Sequence, residues 1–383
     1  MSAATATTSG TSALAAYEPS LDGMRGVCIV AVVVYHACAV SGLSGWMRGG
    51  FIGVSVFFTL SGFLITSLLL REQSATGGVS LRSFWSRRIR RLWPATFAVV
   101  LAVVLLSAWG PLSARSADTI ATTWSVTNWH VIRGGEAQLL QTIVGPLGPT
   151  WSLAVEEQFY IVLALLFVMV SRLRHARTVL AVVATAGVLV PAVLTNVVSD
   201  WHPTLEFSTV LRMPELFMGV LLALGHHRIQ HADLTARTGD LLAGGGLAVL
   251  VALFLLVDYS PPWLLRGGYT AVAVVSAVTI VGLLQRGAVA RALGGQPLHW
   301  LGTVSYSLYL VHWPVYSVLT ADRMGFDGVG LAAVILGAAV LVAWGLHVLV
   351  ERPVRRMTTA PTPTIAAGLL AGAVLTVTSL VLL

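Results

Sequence analysis

The chain has 383 residues, 56% of them hydrophobic and only 10% charged, with a formal net charge of +7 and a mean hydropathy of +0.83. Soluble proteins carry about 25% charged side chains, so this sequence cannot cover a water-facing surface of its own size, and a soluble multidomain protein is excluded. Its basic side chains are all Arg, which removes Schiff-base and P-loop lysine chemistry. They cluster in short loops between apolar runs, a pattern of membrane topology rather than of nucleic-acid binding.

Residues 1–20 are rich in Ala, Thr and Ser and read as a disordered tail. No basic n-region precedes the first apolar run, so a cleavable leader is not expected. About 20 apolar residues cross a bilayer. Candidate spans are 24–43, 51–70, 94–109, 151–170, 178–197, 208–224, 240–257, 268–284, 300–320, 329–350 and 364–382. The expected fold class is therefore an all-α polytopic integral membrane protein with about eleven transmembrane helices. The Trp-containing stretch 116–133 leaves room for a re-entrant or short helix. Cys28 and Cys38 fall in the first run; one helix would hold them roughly 15 Å apart, so they read as small core residues.

With the N-terminus inside, the loops 71–93, 171–177, 225–239, 285–299 and 351–363 hold sixteen Arg residues, and the opposite loops hold five. The positive-inside rule then predicts a multi-pass protein of the cell membrane with a cytoplasmic N-terminus and an external C-terminus.

Ionisable side chains within spans are costly and usually functional. The first span carries Asp22, Arg25 and His36. Arg25 and His36 are eleven residues apart, close to three whole turns, so they share a face and are separated by roughly 16 Å. One face thus offers a guanidinium for a phosphate and, deeper, an imidazole able to act as a general base. The alternative has Arg25 snorkelling to headgroups and His36 making an interhelical hydrogen bond. In GPTWSLAVEEQFY (148–160), Ser152, Glu156 and Tyr160 recur every four residues on one face. They could orient an imidazole or pair with an Arg; an interfacial acid in an aromatic belt is the plainer reading.

In LGTVSYSLYLVHWPV (301–315), Ser305, Tyr309 and His312 form a polar stripe that must meet protein rather than lipid, as channel lining or as packing glue. Arg212 and Glu215, three residues apart, most simply neutralise each other. The loop SFWSRRIRRLWPA (83–95) holds Arg87, Arg88, Arg90 and Arg91 ahead of Pro94. Four guanidiniums could grip phosphates, or simply mark the cytoplasmic side. His226 and His227 are assigned to an ordinary loop, and no His/Asp/Glu set has metal-ligand spacing.

Taken in order, SLDGMRGVCIVAVVVYH, GGFIGVSVFFTLSGFLI, FWSRRIRRLWP, TWSLAVEEQFY, LRMPELFMG and LGTVSYSLYLVHWP resemble membrane acyltransferase family 3 from about residue 18 to 356. The family's Arg-ten residues-His pattern falls on Arg25 and His36, and its Arg-x-x-Arg pattern on Arg88 and Arg91. The resemblance implies a ten-helix core, here 21–357, that transfers an acyl group from cytoplasmic acyl-CoA to a hydroxyl of a sugar or related acceptor. Acyl-CoA would be a co-substrate, with no permanently bound cofactor and no metal.

On that reading Arg25, Arg88 and Arg91 bind the donor phosphates, and His36, oriented by Glu156, takes the acceptor proton. Tyr309 or Ser61 donates to the developing oxyanion, and Asp22, Tyr160, Ser305 and His312 line the substrate channel. The stretch 358–383 adds a linker and an eleventh helix; in some relatives such a helix leads to a fused extracytoplasmic hydrolase, so a second enzymatic step is expected elsewhere. The acceptor is expected to be an envelope glycan or glycolipid, or a glycosylated natural product such as a macrolide. The competing classes are a glycoconjugate transporter or flippase and an accessory subunit without its own active site.

Overall fold

The computed structural model describes residues 17–134, 143, 145–197, 202–230, 234–259 and 261–383; these are helical or irregular, with no strand among them. The longer helices are α1 (Pro19–Val40), α2 (Gly53–Thr76), α3 (Leu81–Trp109), α4 (Ser116–Thr123), α5 (Thr127–Arg133), α6 (Trp151–Val170) and α7 (Ala176–Leu194). They continue with α8 (Met213–Gln230), α9 (Ala236–Leu256), α10 (Tyr269–Leu283), α11 (Leu298–Val318), α12 (Gly328–Leu346) and α13 (Pro361–Leu382). Among the described residues, nine helices are long and apolar enough to cross a membrane. The chain is an all-α polytopic membrane protein. Helices α8 and α11, which correspond to two of the eleven expected spans, are not among the nine; both carry the polar residues that build the interior. Side chains such as Met169, Leu256 and Leu349 are largely exposed on the outside, as a lipid-facing surface requires.

Several boundaries differ from expectation. Helix α1 begins at Pro19, inside the stretch assigned to the tail, because Pro fits a helical first turn and Leu21 is buried in the core. The remainder of that tail, 1–16, lies outside the described residues. Helix α3 begins at Leu81 rather than 94, capped by the Ser80 hydroxyl, which accepts from the Ser83 amide at 3.3 Å. The four-arginine segment is therefore helical and Pro94 is internal. Close by, the Tyr306 hydroxyl of α11 donates to the Leu92 carbonyl at 3.0 Å, one way a neighbouring helix satisfies polar backbone in lipid. Residue 208 is irregular and 209–212 form a turn, so α8 starts five residues later than expected and continues to Gln230. His226 and His227 thus belong to α8, not to a loop, and His226 is buried. The 116–133 stretch forms two short helices, α4 and α5.

The central pair is α1 with α11. Contacts run in the same order on both helices, from Asp22–Gly302 through Arg25–Ser305 to His36–His312, so the two are parallel. They approach so closely that a Cβ on Gly302 would overlap the Asp22 carbonyl, and one on Gly26 the Leu298 carbonyl. Across the bundle, α2 meets α8 through Gly62 and Gly219 in the same manner. The additional helix α13 lies against α3 and α4, where the Trp124 indole donates to the Thr376 hydroxyl at 2.9 Å.

Arg212 ties the bundle together. Its side chain is 2% exposed and bonds both oxygens of Glu215 at 2.7 and 2.9 Å, the Ser55 hydroxyl at 3.0 Å and the Glu206 carbonyl at 2.9 Å. Its guanidinium also stacks 3.8 Å from the Tyr269 ring centroid. Four segments, α2, the short helix His202–Phe207, α8 and α10, therefore depend on one cation. Because removing one partner of a buried pair strands the other charge, Glu215→Ala should destabilise the protein by about 3–5 kcal/mol. The readout is a large drop in the thermal unfolding midpoint in detergent, with Glu215→Gln falling between the two.

Candidate active site

A cavity of about 440 Å³ opens between α1, α2, α3, α6, α11 and the segment after α12. Its walls are single helix faces. On α2 the face is Phe57, Ser61, Leu64, Leu68 and Arg71, at steps of three and four residues, with Ser61 and Arg71 its polar members. On α6 it is Ser152, Glu156 and Tyr160, and on α11 it is Ser305 and Tyr309. Nine of the eleven expected site residues line this cavity: Asp22, Arg25, Ser61, Arg88, Arg91, Glu156, Tyr160, Ser305 and Tyr309.

The cavity's charges do not balance. Glu18 is engaged by Arg286 at 2.5 Å, and Asp22 lies 3.8 Å from Arg25. Glu351 accepts from Ser307 at 2.8 Å, contacts His347 at 2.9 Å and Arg355 at 3.4 Å. The Ser61 hydroxyl donates to Glu156, and the Tyr160 hydroxyl donates to Ser61 at 3.2 Å. Arg71, Arg88 and Arg91 have no carboxylate partner among the described residues, and Arg71 Nε is buried without a hydrogen bond. Arg88 is only 8% exposed and stacks 5.4 Å from the Tyr160 ring centroid. Three guanidiniums that share one carboxylate, Glu156, around one cavity call for an anion.

At the end of the cavity where α1 begins, the Tyr17 hydroxyl donates to Asp22 at 2.7 Å and meets His299 Nε2 at 2.6 Å. Burial, and then the bond to the Asp22 carboxylate, push the Tyr17 phenol up to about 12. At the opposite, inner end, the Tyr309 hydroxyl bonds the Ser152 hydroxyl at 2.7 Å and the Pro149 carbonyl at 2.8 Å.

His36 and His312 lie beyond that inner end and do not line the cavity. His312 Nε2 is 3.1 Å from His36 Nδ1, with the rings stacked at 5.1 Å, and His312 Nδ1 sits 2.7 Å from the Tyr309 carbonyl. The expected orientation of His36 by Glu156 is therefore corrected. Glu156 faces the arginines and Ser61, and the partner of His36 is His312 on the parallel helix α11. The α6 stripe and the α1 histidine stand on different levels of the bundle, which spacing along either helix alone does not reveal.

Arg71, Glu351 and Arg355 are cavity residues that sequence reasoning missed, having counted the arginines as topological charges. The recurrence from Phe57 to Arg71 was the available signal for Arg71. Nothing comparable marks Glu351, whose approach depends on the π-helical turn His347–Glu351 at the end of α12.

Residues 18–348 match the sequence model of a family described as an acyltransferase domain. Peptidoglycan O-acetyltransferase OatA of Listeria monocytogenes serovar 1/2a is 31% identical over 316 residues, covering 79% of this chain and 50% of that protein. O-acetyltransferase OatA of Staphylococcus aureus is 32% identical over 310 residues, 78% of this chain and 50% of that protein. Putative peptidoglycan O-acetyltransferase YrhL of Bacillus subtilis is 33% identical over 321 residues, 79% and 49% respectively. The chain thus spans about half the length of these curated relatives, and no solved structure matches it.

Because the Tyr309 hydroxyl bridges α11 to α6 at the cavity's inner end, Tyr309→Phe should leave Ser152 and the Pro149 carbonyl short of one partner. A loss of about 1–3 kcal/mol is expected, read as a lower unfolding midpoint in detergent with helical content unchanged by circular dichroism.

Proposed function

From the premise that the chain belongs to this acyltransferase-domain family, we propose that it is an integral-membrane O-acyltransferase that moves a short acyl group from acyl-CoA to a hydroxyl of a sugar-containing acceptor. The observation that carries the reading is the cavity lined by Arg71, Arg88 and Arg91, none of them in an ion pair among the described residues, with a histidine pair beyond its inner end. A thioester donor bearing phosphates fits it. The phosphates lie against the arginines, and the pantetheine arm runs along α1 past Arg25 and Ser305 toward Tyr309. The excess of Arg at the end where α1 begins makes that end cytoplasmic, where acyl-CoA is available. The C-terminus is then external. The relatives named for peptidoglycan favour an envelope glycan over a glycosylated small metabolite as acceptor.

In the transfer, the acceptor oxygen forms a bond to the thioester carbonyl carbon while His36 takes the hydroxyl proton. The carbon–sulfur bond breaks, and the proton passes to the departing thiolate, giving the ester and free CoA. Tyr309, whose hydroxyl donates to the Pro149 carbonyl at the cavity wall, would donate to the carbonyl oxygen as it gains charge by exchanging that bond for the substrate's. Glu156 keeps the inner arginines from a net charge too large to bury, a role in the donor site rather than in proton transfer.

The test is mass spectrometry of envelope glycans from a strain lacking the gene, restored with wild type or variants at matched expression. Wild type should return a species heavier by one acyl group. His36→Gln should lower the turnover by on the order of 100-fold or more, and a fully active His36→Gln would overturn the base assignment. In purified protein, Arg88→Leu and Arg91→Leu should each abolish most of the thermal stabilisation given by CoA. If the double variant is stabilised by CoA as strongly as wild type, the donor site lies elsewhere.

A further inference from the structure

We infer that His312 is a positioning residue that fixes the tautomer of His36, leaving His36 Nε2 as the one nitrogen open to the acceptor proton. The inference rests on the general-base reading for its catalytic consequence, but the tautomer itself follows from geometry.

The argument starts from acceptors that cannot donate. His312 Nδ1 lies 2.7 Å from the Tyr309 carbonyl and 3.3 Å from the Leu308 carbonyl. A carbonyl oxygen only accepts, so His312 Nδ1 carries hydrogen. His312 is fully buried, and among the described residues no carboxylate contacts its ring. A second proton would make it an uncompensated buried cation, a costly state. Its Nε2 therefore holds a lone pair. His36 Nδ1, 3.1 Å away, can meet that lone pair only by donating. His36 is thereby held as the Nδ1–H tautomer.

The other nitrogen of His36 is then unprotonated. The Val32 carbonyl, one turn earlier on α1, is a second acceptor for the His36 ring and agrees with hydrogen on Nδ1; the His36 side chain is partly exposed, which leaves Nε2 as the nitrogen for a bound molecule. When Nε2 takes a proton, the positive charge spreads to the Nδ1–H, and the His312 lone pair stabilises it in place. The chain of groups is backbone carbonyl, His312, His36, acceptor hydroxyl. It does the work that a carboxylate–histidine pair does elsewhere, without burying an acid at this depth. The Tyr35 and Trp313 rings, each 5.0 Å from His36, hold the imidazole plane.

Two measurements test this. The first is 15N NMR of histidine-labelled protein in bilayers, with His36 assigned by the signals lost in His36→Gln. A proton-bearing Nδ1 and a bare Nε2 on His36 are expected; a proton-bearing Nε2 overturns the inference whether or not the protein acylates anything. The second compares His312→Phe, which keeps a ring but no acceptor, with His312→Gln, whose amide oxygen can take the Nε2 position. His312→Phe should lower kcat by on the order of 100-fold with KM for acyl-CoA unchanged, and His312→Gln should recover most of it. Equal kcat in the Phe variant and wild type sinks the positioning role. A fully active His36→Gln instead sinks the general-base reading and leaves the NMR result standing by itself.

Discussion

A polar group in hydrocarbon must find its partner inside the protein, because no water is there to replace one. That constraint organises this bundle. The mostly apolar helices α7 and α9 bury little. The helices with polar stripes, α1, α2, α6, α8 and α11, pack against one another. Close approach comes from glycine at the contact points, Gly26 and Gly302 between α1 and α11, Gly62 and Gly219 between α2 and α8. The polar interior is therefore a cause of the helix arrangement as much as a consequence of it.

Two classes of buried arginine show how the same residue serves stability and binding. Arg212 has a bidentate carboxylate, a hydroxyl, a backbone carbonyl and an aromatic face, so its charge is paired and each of its three nitrogens is bonded, and no ligand is called for. Arg88 is almost as buried but has only the rings of Phe84 and Tyr160 beside it. A cation held at that depth with Arg71 and Arg91 near it and one shared carboxylate, Glu156, is electrostatically unfinished. Its natural completion is a multiply charged anion, and that asymmetry separates the arginine cavity from the structural knot on the other side of α2.

Much of this was legible in the sequence, and the losses have physical reasons. Apolar runs located the helices because span length is fixed by bilayer thickness, and residues sharing a face converged because polar faces have nowhere else to go. The stripes Ser152–Glu156–Tyr160 and Ser305–Tyr309 line the cavity as their periodicity implied. Helix starts were less legible. Arg87 to Arg91 read as a loop by charge, yet helix α3 carries them because long guanidinium stems tolerate a helical backbone, and Ser80 supplies the cap. The His36–Glu156 pairing failed for a different reason. Face direction can be read from one helix, but the relative height of two helices depends on tilt and contact geometry, which periodicity does not encode.

Height is what gives the histidine pair its character. Arg25 and His36 are separated by eleven residues on α1, whereas their partners Ser305 and His312 are separated by seven on α11. At 1.5 Å per residue the two intervals differ by roughly 6 Å, and the long Arg25 side chain absorbs the difference while imidazoles cannot. His36 can therefore meet His312 only where the two helices are in direct register, one turn past Tyr309. There the acceptors among the described residues are main-chain carbonyls, which carry partial charge and need no counter-ion. A carboxylate at the same level would demand a cation or a proton to remain buried. The neutral chain of carbonyl, His312 and His36 can hold an imidazole ready to accept a proton without adding net charge to the bundle, and it does so at the boundary between the arginine cavity and the half of the bundle toward which α1 and α11 run.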